Sequence, residues 1–171
     1  CAALRIPFFG PKMMAAGPIT GTKGRGMVYP DVTHTIGNTP VVKINKLAPE
    51  GVEVYAKCEF MNPAGSIKDR MASYIIAKAE AEGLLRPGGT IVENTSGNTG
   101  LGAAMTAAVK GYKAVFTMPD KMSQEKIDGL RAFGAQVIIT PTDVPGDSPD
   151  HYVNVAKRMA SETPGSFYLD Q

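Results

Sequence analysis

The sequence predicts an α/β protein with a doubly wound parallel sheet. After residue 89, short apolar segments with the length of strands alternate with single segments that have helical periodicity. One helix between each pair of strands is the arrangement that a parallel sheet requires, because the crossover must return the chain to the same end of the sheet. Ligands bind such sheets beyond the carboxyl ends of the strands, so the loops at that end are the candidate sites.

The chain before residue 90 contributes a strand pair and a helix. Residues 40–44 and 52–58 are predicted strands, and the turn Pro49-Glu50-Gly51 between them favours an antiparallel pair at the edge of a sheet. Residues 66–83 are a predicted helix. Its apolar face is formed by side chains that recur at helical spacing, namely Ile67, Met71, Tyr74, Ile75 and Ala79.

Three strand–helix units and a last strand follow. The predicted strands are residues 90–93, 112–118, 136–140 and 166–169, and the predicted helices are residues 98–109, 123–133 and 148–161. Ile127 and Leu130 share one face of the second of these helices, and Gly134 terminates it. Ser148-Pro149-Asp150 opens the third helix, because a capping serine, a proline at the first position and an acid in the first turn are start signals.

The helix at residue 66 begins within the segment Asn62-Pro63-Ala64-Gly65-Ser66-Ile67-Lys68-Asp69-Arg70. Asn62 to Gly65 has the composition of a turn, and Ser66 with Asp69 three residues later has the pattern of a capping box. Lys68 then lies in the first turn, where the helix N–H groups disfavour a cation. This position is poor for stability, but it suits an amine that loses its proton to attack a carbonyl. The alternative is an ordinary lysine whose flexible stem reaches solvent.

A second motif, Thr95-Ser96-Gly97-Asn98-Thr99-Gly100, joins a predicted strand to a predicted helix. Gly97 and Gly100 allow the backbone to approach a ligand closely. The hydroxyl groups and the N–H groups of the helix start together make a cradle for an anion. The residues alone favour phosphate and carboxylate equally, and an ordinary turn between strand and helix is the alternative.

Together, N-P-A-G-S-I-K-D-R and T-S-G-N-T-G resemble motifs of the cysteine synthase and cystathionine β-synthase family of pyridoxal-phosphate enzymes. The resemblance covers residues 32–171. It implies fold type II, the fold of the tryptophan synthase β subunit, with an N-terminal lobe and an edge strand pair that belongs to a second lobe. The second lobe itself is absent from this sequence, and no G-T-G-G-T-like segment for the phosphate of the cofactor occurs in it.

The resemblance also assigns roles to individual residues. Lys68 matches the lysine that forms the Schiff base with pyridoxal 5'-phosphate, and Asn98 matches the asparagine that hydrogen-bonds the ring hydroxyl oxygen of the cofactor. The residues that match the family's grip on the α-carboxylate of the substrate are Thr95, Ser96, Gly97, Asn98 and Thr99. Gln171 matches a glutamine that contacts the same carboxylate. Asn94 stands where many relatives have proline or alanine, and it adds polarity beside the site.

The activity that the resemblance implies is β-replacement on serine or O-acetylserine with a thiol or sulfide, as in cysteine biosynthesis. Glu125-Lys126 and Asp147-Ser148-Pro149 resemble cystathionine β-synthases more than cysteine synthases. Serine with homocysteine is therefore the first substrate prediction, and O-acetylserine with sulfide is the second. The alternative is a truncated, non-catalytic relative that serves as a structural subunit of a larger assembly. A nucleotide-binding α/β module has weaker support, because no dinucleotide fingerprint follows the first strand.

Composition excludes several other classes of protein. The chain has 171 residues with 18 basic and 16 acidic side chains, and it shows no basic stripe that would indicate nucleic-acid binding. No apolar run approaches the roughly 20 residues of a membrane-spanning helix. Cys1 and Cys58 lack the spacing of a metal site, and the first residues hold no Cys–His pair, so neither a metal nor a haem is predicted.

Residues 1–30 are a predicted flexible lead before the enzyme-like region, residues 31–171. The lead is basic, has no acidic residue before Asp31, and is rich in glycine and proline. This composition is compatible with a mitochondrial transit peptide that was partly or wholly removed. A plain extension of a cytoplasmic protein is the alternative. A homodimer is expected if the natural chain is longer, and a larger assembly is expected if the chain is short.

Overall fold

The computed structural model describes residues 28–95 and 97–171, which form six strands and four α-helices. The strands are β1 (Val41–Ile44), β2 (Val54–Lys57), β3 (Thr90–Asn94), β4 (Lys113–Pro119), β5 (Gln136–Thr140) and β6 (Ser166–Tyr168). The helices are α1 (Lys68–Ala81), α2 (Asn98–Lys110), α3 (Gln124–Ala132) and α4 (Tyr152–Glu162). None of the described helices is long and apolar enough to cross a membrane. The predicted lead falls almost entirely outside the described residues, and so does Ser96.

Four strands form a parallel sheet in the order β5-β4-β3-β6. The chain runs outward from β3 to β4 and β5, and then returns through α4 to place β6 on the other side of β3. Because α2 and α3 pack on one face of the sheet and α4 packs on the other, the sheet is doubly wound as predicted. The winding direction changes at β3, and open sheets of this kind bind ligands at the carboxyl end of such a strand.

The core lies on both sides of β3 and β4, whose side chains alternate between the two faces of the sheet. Ile91 and Phe116 are completely buried and pack with residues of α2 and α3, whereas Val92 packs with Ala156 of α4. Full burial of such a side chain contributes roughly 1.5–3 kcal/mol. The two central strands are therefore firmly held, and they provide a rigid base for the loop that follows Asn94.

The strands β1 and β2 form a separate two-stranded sheet. The predicted antiparallel pairing is confirmed, and the pair is not hydrogen-bonded to the four-stranded sheet. Val41, Val42 and Tyr55 are about half exposed on this pair. A strand pair without a covering layer is only marginally stable in water. The exposure agrees with the resemblance, in which these strands belong to the sheet of a second lobe.

The buried face of α1 differs from the predicted one. Ala79 is buried as predicted, but Ile67 and Tyr74 are 55% and 59% exposed, and Ala72 and Ile76 are buried in their place. The reason is that α1 packs mainly against α2, and small side chains at the contact let the two helices approach closely. The helix itself is confirmed. Its buried face depends on a packing partner that local spacing does not identify.

The helix α4 begins at Tyr152, later than predicted. Ser148 forms a turn instead, because its hydroxyl oxygen accepts a hydrogen bond from Asp150 N (3.2 Å) and its carbonyl oxygen accepts one from His151 N (3.1 Å). The Asn154 side chain also donates to the Ser148 carbonyl oxygen (2.8 Å). The start signals in the sequence therefore mark a turn that precedes the helix.

Candidate active site

A cleft of about 420 Å³ lies at the carboxyl ends of β3 and β6. Its lining residues are Lys68, Asn94, Thr95, Gly97, Asn98, Thr99, Lys126, Tyr152 and Gln171. The structure therefore brings together every described residue that the sequence predicted for the site. Ser96 belongs to the same prediction but lies outside the described residues.

The start of α1 presents Lys68 to the cleft. The preceding turn closes with a hydrogen bond from Gly65 N to the Asn62 carbonyl oxygen (2.8 Å), and Gly65 has a φ of +90°, which only glycine adopts readily. Ile67 occupies the N-cap position and makes no side-chain cap. The Ser66 hydroxyl nevertheless accepts a hydrogen bond from Lys68 N (3.0 Å). Ser66 therefore satisfies an N–H of the first turn, although it lies one residue before the N-cap and not at the N-cap as predicted.

The predicted capping box does not form. The Asp69 carboxylate accepts its hydrogen bond of normal geometry from Ala64 N (2.6 Å), and the backbone N–H of Ser66 only weakly favours the charged carboxylate. Burial raises the pKa of Asp69, and the hydrogen bond from Ala64 opposes that rise. The carboxylate thus ties the turn itself, and not the capping residue, to the helix that carries Lys68.

An ion pair behind the turn holds it in place. Arg70 donates from Nε and Nη2 to the two carboxylate oxygens of Glu59 (2.8 and 2.9 Å), which is the bidentate geometry that fixes both side chains. Glu59 also accepts hydrogen bonds from Thr39 and from Asn62. The hydrogen bonds from Arg70 are the main reason that the pKa of Glu59 is lowered to about 2. The segment before Lys68 is therefore anchored by a carboxylate that stays charged at neutral pH.

The side chain of Thr95 organises the loop between β3 and α2. Its buried hydroxyl oxygen accepts hydrogen bonds from Gly97 N (3.2 Å) and Gly100 N (3.0 Å). The first N–H groups of a helix have no acceptor within the helix, and no acidic side chain lies in the first turn of α2. The loop and the helix start therefore present positive partial charge to the cleft, which suits an anionic ligand.

Gly102 allows the start of α1, which carries Lys68, to lie close to α2, which follows the loop at Thr95. A Cβ atom on Gly102 of α2 would lie 3.1 Å from Asp69 Cα and 3.2 Å from the carbonyl oxygen of Lys68. Both of these atoms belong to the backbone of α1, so they could yield only if the helix moved. The absence of a side chain at Gly102 thus lets the start of α1 lie directly against α2.

Two amide side chains, Gln171 and Asn94, also line the cleft. Thr99 Oγ1 donates to Gln171 Oε1 (2.5 Å), which leaves the side-chain nitrogen of Gln171 to donate to a ligand. The Tyr168 hydroxyl donates to Asn94 Oδ1, so the side-chain nitrogen of Asn94 is a second donor held in a fixed position. The sequence predicted only that Asn94 adds polarity beside the site. The structure shows that Asn94 lines the cleft and that Tyr168 fixes its side chain.

Glu93 lies in β3 beside Asn94 and has no exposed surface. Neither of its carboxylate oxygens has a hydrogen-bond partner of normal geometry among the described residues. Burial raises the pKa of Glu93 to about 7, although the nearby backbone N–H groups of Gln171 and Asp170 favour the charged form. Glu93 is therefore a buried carboxyl group that titrates near neutral pH.

Glu93→Gln should stabilise the protein at alkaline pH. The pKa of Glu93 is raised from its ordinary value of 4.5 to about 7 in the folded protein. The folded state therefore binds this proton more tightly than the unfolded state, so stability is greatest below pH about 4.5 and falls as the pH rises to about 7. The neutral amide avoids that fall, so the variant should be more stable at pH 8 by up to about 3 kcal/mol.

Urea unfolding of the wild type and of Glu93→Gln at pH 5 and pH 8 measures this effect. The advantage of the variant should be small at pH 5 and large at pH 8. Glu50→Gln removes a charge from an exposed turn and is the matched control, which should follow the wild-type pH profile. Parallel pH profiles for Glu93→Gln and the wild type would contradict the buried titration.

Sequence reasoning missed Lys126 and Tyr152 as lining residues of the cleft. Lys126 lies in the first turn of α3, which follows β4, and Tyr152 is the first residue of α4, which follows β5. The carboxyl ends of parallel strands meet at one end of a sheet, so helices that follow these strands start near the same cleft. The alternation of strands and helices indicates that helix starts gather at this end of the sheet, but it does not reveal which strands are neighbours.

The donor groups of the cleft are amines, amides, hydroxyls and backbone N–H groups, without a carboxylate among the described lining residues. Within residues 28–95 and 97–171, no group of three His, Cys, Asp or Glu side chains could hold a metal ion. This set of donors suits an organic anion better than a cation.

Residues 32–171 match the protein family described as pyridoxal-phosphate dependent enzymes. The chain is 52% identical over 147 residues to cystathionine beta-synthase of Apis mellifera, a match that covers 84% of this chain and 29% of that protein. It is 50% identical over 143 residues to a probable cysteine synthase of Bacillus subtilis, covering 82% of this chain and 44% of that protein. The chain thus spans less than half the length of these curated relatives.

A solved structure supports the fold in the same way. The crystal structure of a hydrogen sulfide-producing enzyme from Fusobacterium nucleatum matches with a TM-score of 0.77 and 41% sequence identity, over 84% of this chain and 46% of that chain. The predicted type II α/β fold and the predicted resemblance to pyridoxal-phosphate enzymes are therefore confirmed.

Proposed function

Since the chain belongs to the pyridoxal-phosphate dependent enzymes, we propose that it is the N-terminal part of an enzyme that catalyses β-replacement on serine or O-acetylserine. The observation that carries the proposal is that Lys68 lines one cleft together with Thr95, Gly97, Asn98 and Thr99. An amine for the cofactor and a cradle for the carboxylate of an amino acid are two functions that such a reaction requires.

The described residues of the cleft fit the cofactor. Lys68 and Asn98 line the same space, and none of the other described lining residues carries a negative charge that would repel the ring hydroxyl oxygen. In the proposal, Lys68 binds the aldehyde carbon of pyridoxal phosphate and Asn98 hydrogen-bonds the ring hydroxyl oxygen. When bound, the cofactor supplies a ring that accepts the electrons released at the substrate Cα.

The residues of the chain bind and orient the amino acid. Thr95 shapes the loop by accepting from Gly97 N and Gly100 N, the backbone N–H groups of Asn98 and Thr99 at the start of α2 are offered to the α-carboxylate, and Gln171, which Thr99 holds, adds an amide donor. A fixed carboxylate restricts rotation of the amino acid and keeps its Cα–H bond in one orientation. Lys68 Nζ is the proposed acceptor of the Cα proton. Ser96, from the same loop, is proposed as a further carboxylate contact from its sequence position alone.

Serine with homocysteine is the first proposed substrate pair, and O-acetylserine with sulfide is the second. The segments Glu125-Lys126 and Asp147-Ser148-Pro149 support the first pair. The overall identities, 52% to a cystathionine beta-synthase and 50% to a probable cysteine synthase, do not separate the two.

The acid-poor lead supports a mitochondrial location, with the cytoplasm as the alternative. A homodimer is the proposed assembly of the complete enzyme.

Borohydride reduction of the protein from its native source tests the proposal. We expect mass spectrometry to find a reduced pyridoxyl group on the peptide that contains Lys68, because reduction fixes the cofactor to the lysine that holds it. Lys126 lines the same cleft and is an internal control for unspecific labelling. The absence of any adduct would overturn the proposal and favour a structural subunit. An adduct on Lys126 alone would remove Lys68 from its role.

A further inference from the structure

The side chain of Lys126 extends from α3 over the glycine at the centre of the loop 95–99. A Cβ atom on Gly97 would lie 3.6 Å from Lys126 Nζ, 3.8 Å from its Cε and 4.0 Å from its Cδ. Lys126 lines the cleft together with Lys68 and Gly97. The charged end of a long, flexible side chain is thus placed against the loop that is proposed to bind the substrate.

The place of Lys126 within α3 is unfavourable for the helix. Lys126 is in the first turn, because α3 begins at Gln124. The N–H groups of a first turn carry partial positive charge and disfavour a cation. Helix stability therefore does not account for a lysine at this position.

The charge of the cleft has one sign. Lys68 and Lys126 are the charged side chains among the described lining residues, and none of those residues is an Asp or Glu. The proposed function uses the Lys68 amine for the cofactor. Lys126 is then the cation that faces the part of the cleft where an amino acid would bind.

We propose that Lys126 is a specificity-determining residue whose ammonium group binds the α-carboxylate of the amino acid held at Gly97, Asn98 and Thr99. The inference rests on the proposed function, since it requires an amino-acid ligand. A carboxylate bound there would meet backbone N–H donors from the start of α2 and the ammonium group from α3. A hydrogen bond between two charged groups is roughly twice as strong as one between neutral groups, so Lys126 favours amino acids over their uncharged analogues.

Calorimetric titration of the cofactor-loaded protein with L-serine and with L-serinamide tests this role. The two ligands differ in the carboxylate, which the second replaces by a neutral amide. We expect Lys126→Met to weaken L-serine binding about ten-fold and to change L-serinamide binding by less than about two-fold. The effect on L-serine should shrink at high salt, because a partly exposed ion pair is screened.

Two further variants separate the charge from the structure. Lys126→Arg keeps the positive charge, and we expect it to retain L-serine binding within about three-fold. Lys157→Met makes the same neutralising change on an exposed residue of α4 that does not line the cleft, and it should bind both ligands as the wild type does. If Lys126→Met weakened both ligands equally, or neither, the inference would be overturned.

A visible absorbance change of the bound cofactor when L-serine is added to the wild type tests the proposed function separately. If L-serine binds without such a change, the proposed function fails. The ratio of the dissociation constants for L-serine and L-serinamide still decides the role of Lys126. If the absorbance responds but Lys126→Met leaves the ratio unchanged, only the role of Lys126 is refuted. Failure of L-serine to bind the wild type would overturn both.

Discussion

Lys68→Ala is expected to abolish catalysis without unfolding the protein. In the proposed function the Lys68 amine both holds the cofactor and accepts the Cα proton, so its loss should lower kcat/KM by at least about 10³-fold. The visible absorbance of lysine-bound cofactor should disappear in the same variant. Turnover assays and absorbance spectra of the purified protein measure the two effects.

The same substitution should leave the free energy of unfolding unchanged or slightly higher. The Ser66 hydroxyl bonds the backbone N–H of Lys68, which alanine retains. Alanine also removes a cation from the helix N-terminus, an effect of about 0.3–1 kcal/mol. Lys78→Ala, at an exposed position of the same helix, is the matched control and should keep both activity and absorbance. A large loss of stability in Lys68→Ala would mean that the lysine has a structural role instead.

The elements of this fold could be predicted because each carries signals from its own neighbours in sequence. The predicted strand at residues 90–93 is confirmed as part of β3, and Thr90 to Glu93 are buried throughout. Gly111 and Gly134 follow α2 and α3 with φ values of +75° and +83°, in the left-handed region where glycine is favoured. Signals of this kind require no knowledge of the tertiary structure.

The features that the sequence did not predict depend on contacts between elements. The exposure of Ile67 follows from how α1 packs on α2, and the late start of α4 follows from the hydrogen bonds of the turn at Ser148. Lys126 lies in a segment that the sequence marked only as a sign of the subfamily. Its approach to Gly97 depends on β4 lying beside β3, which spacing along the chain does not reveal.

The position of Lys68 beside the loop could be predicted because two specific motifs occur in the correct order. The local sequence alone predicted only a turn at Asn62 to Gly65 and a helix that starts near Ser66. The structure adds the reason that the two motifs meet, which is the close packing of α1 on α2 at Gly102. A packing contact of this kind cannot be inferred from either motif alone.

Gly100→Ala is expected to distort the loop that is proposed to bind the carboxylate. A Cβ atom at Gly100 would lie 2.6 Å from Thr95 Cγ2 and 3.1 Å from Thr95 Oγ1, and the first distance is too short for a real contact. The same atom would lie 3.1 Å from Leu130 Cδ2, so a shift toward Leu130 offers little relief. Thr95 would have to move, and its hydrogen bonds from Gly97 N and Gly100 N would be lost or weakened.

The expected effect of Gly100→Ala is larger on binding than on stability. Overpacking should cost about 1–3 kcal/mol of stability, and about 1 kcal/mol of this is offset by the higher helix propensity of alanine. L-Serine binding should weaken by about 10²-fold, because a displacement of the donors on the order of 1 Å removes their alignment. Urea unfolding and calorimetric titration with L-serine measure the two quantities.

A second substitution tests whether the clash is the cause. Thr95→Ser removes Cγ2 and keeps the hydroxyl group, so adding it to Gly100→Ala should recover much of the lost L-serine binding. Gly129→Ala in α3 is the matched control, because its Cβ atom would meet only Leu101 Cδ2, at 3.2 Å, which is the flexible end of a side chain. That variant should bind L-serine as the wild type does. Since the double variant restores only space beside the hydroxyl group, recovery would show that the contact between Thr95 and Gly100 shapes the loop. A lack of recovery would place the cause of the binding loss elsewhere.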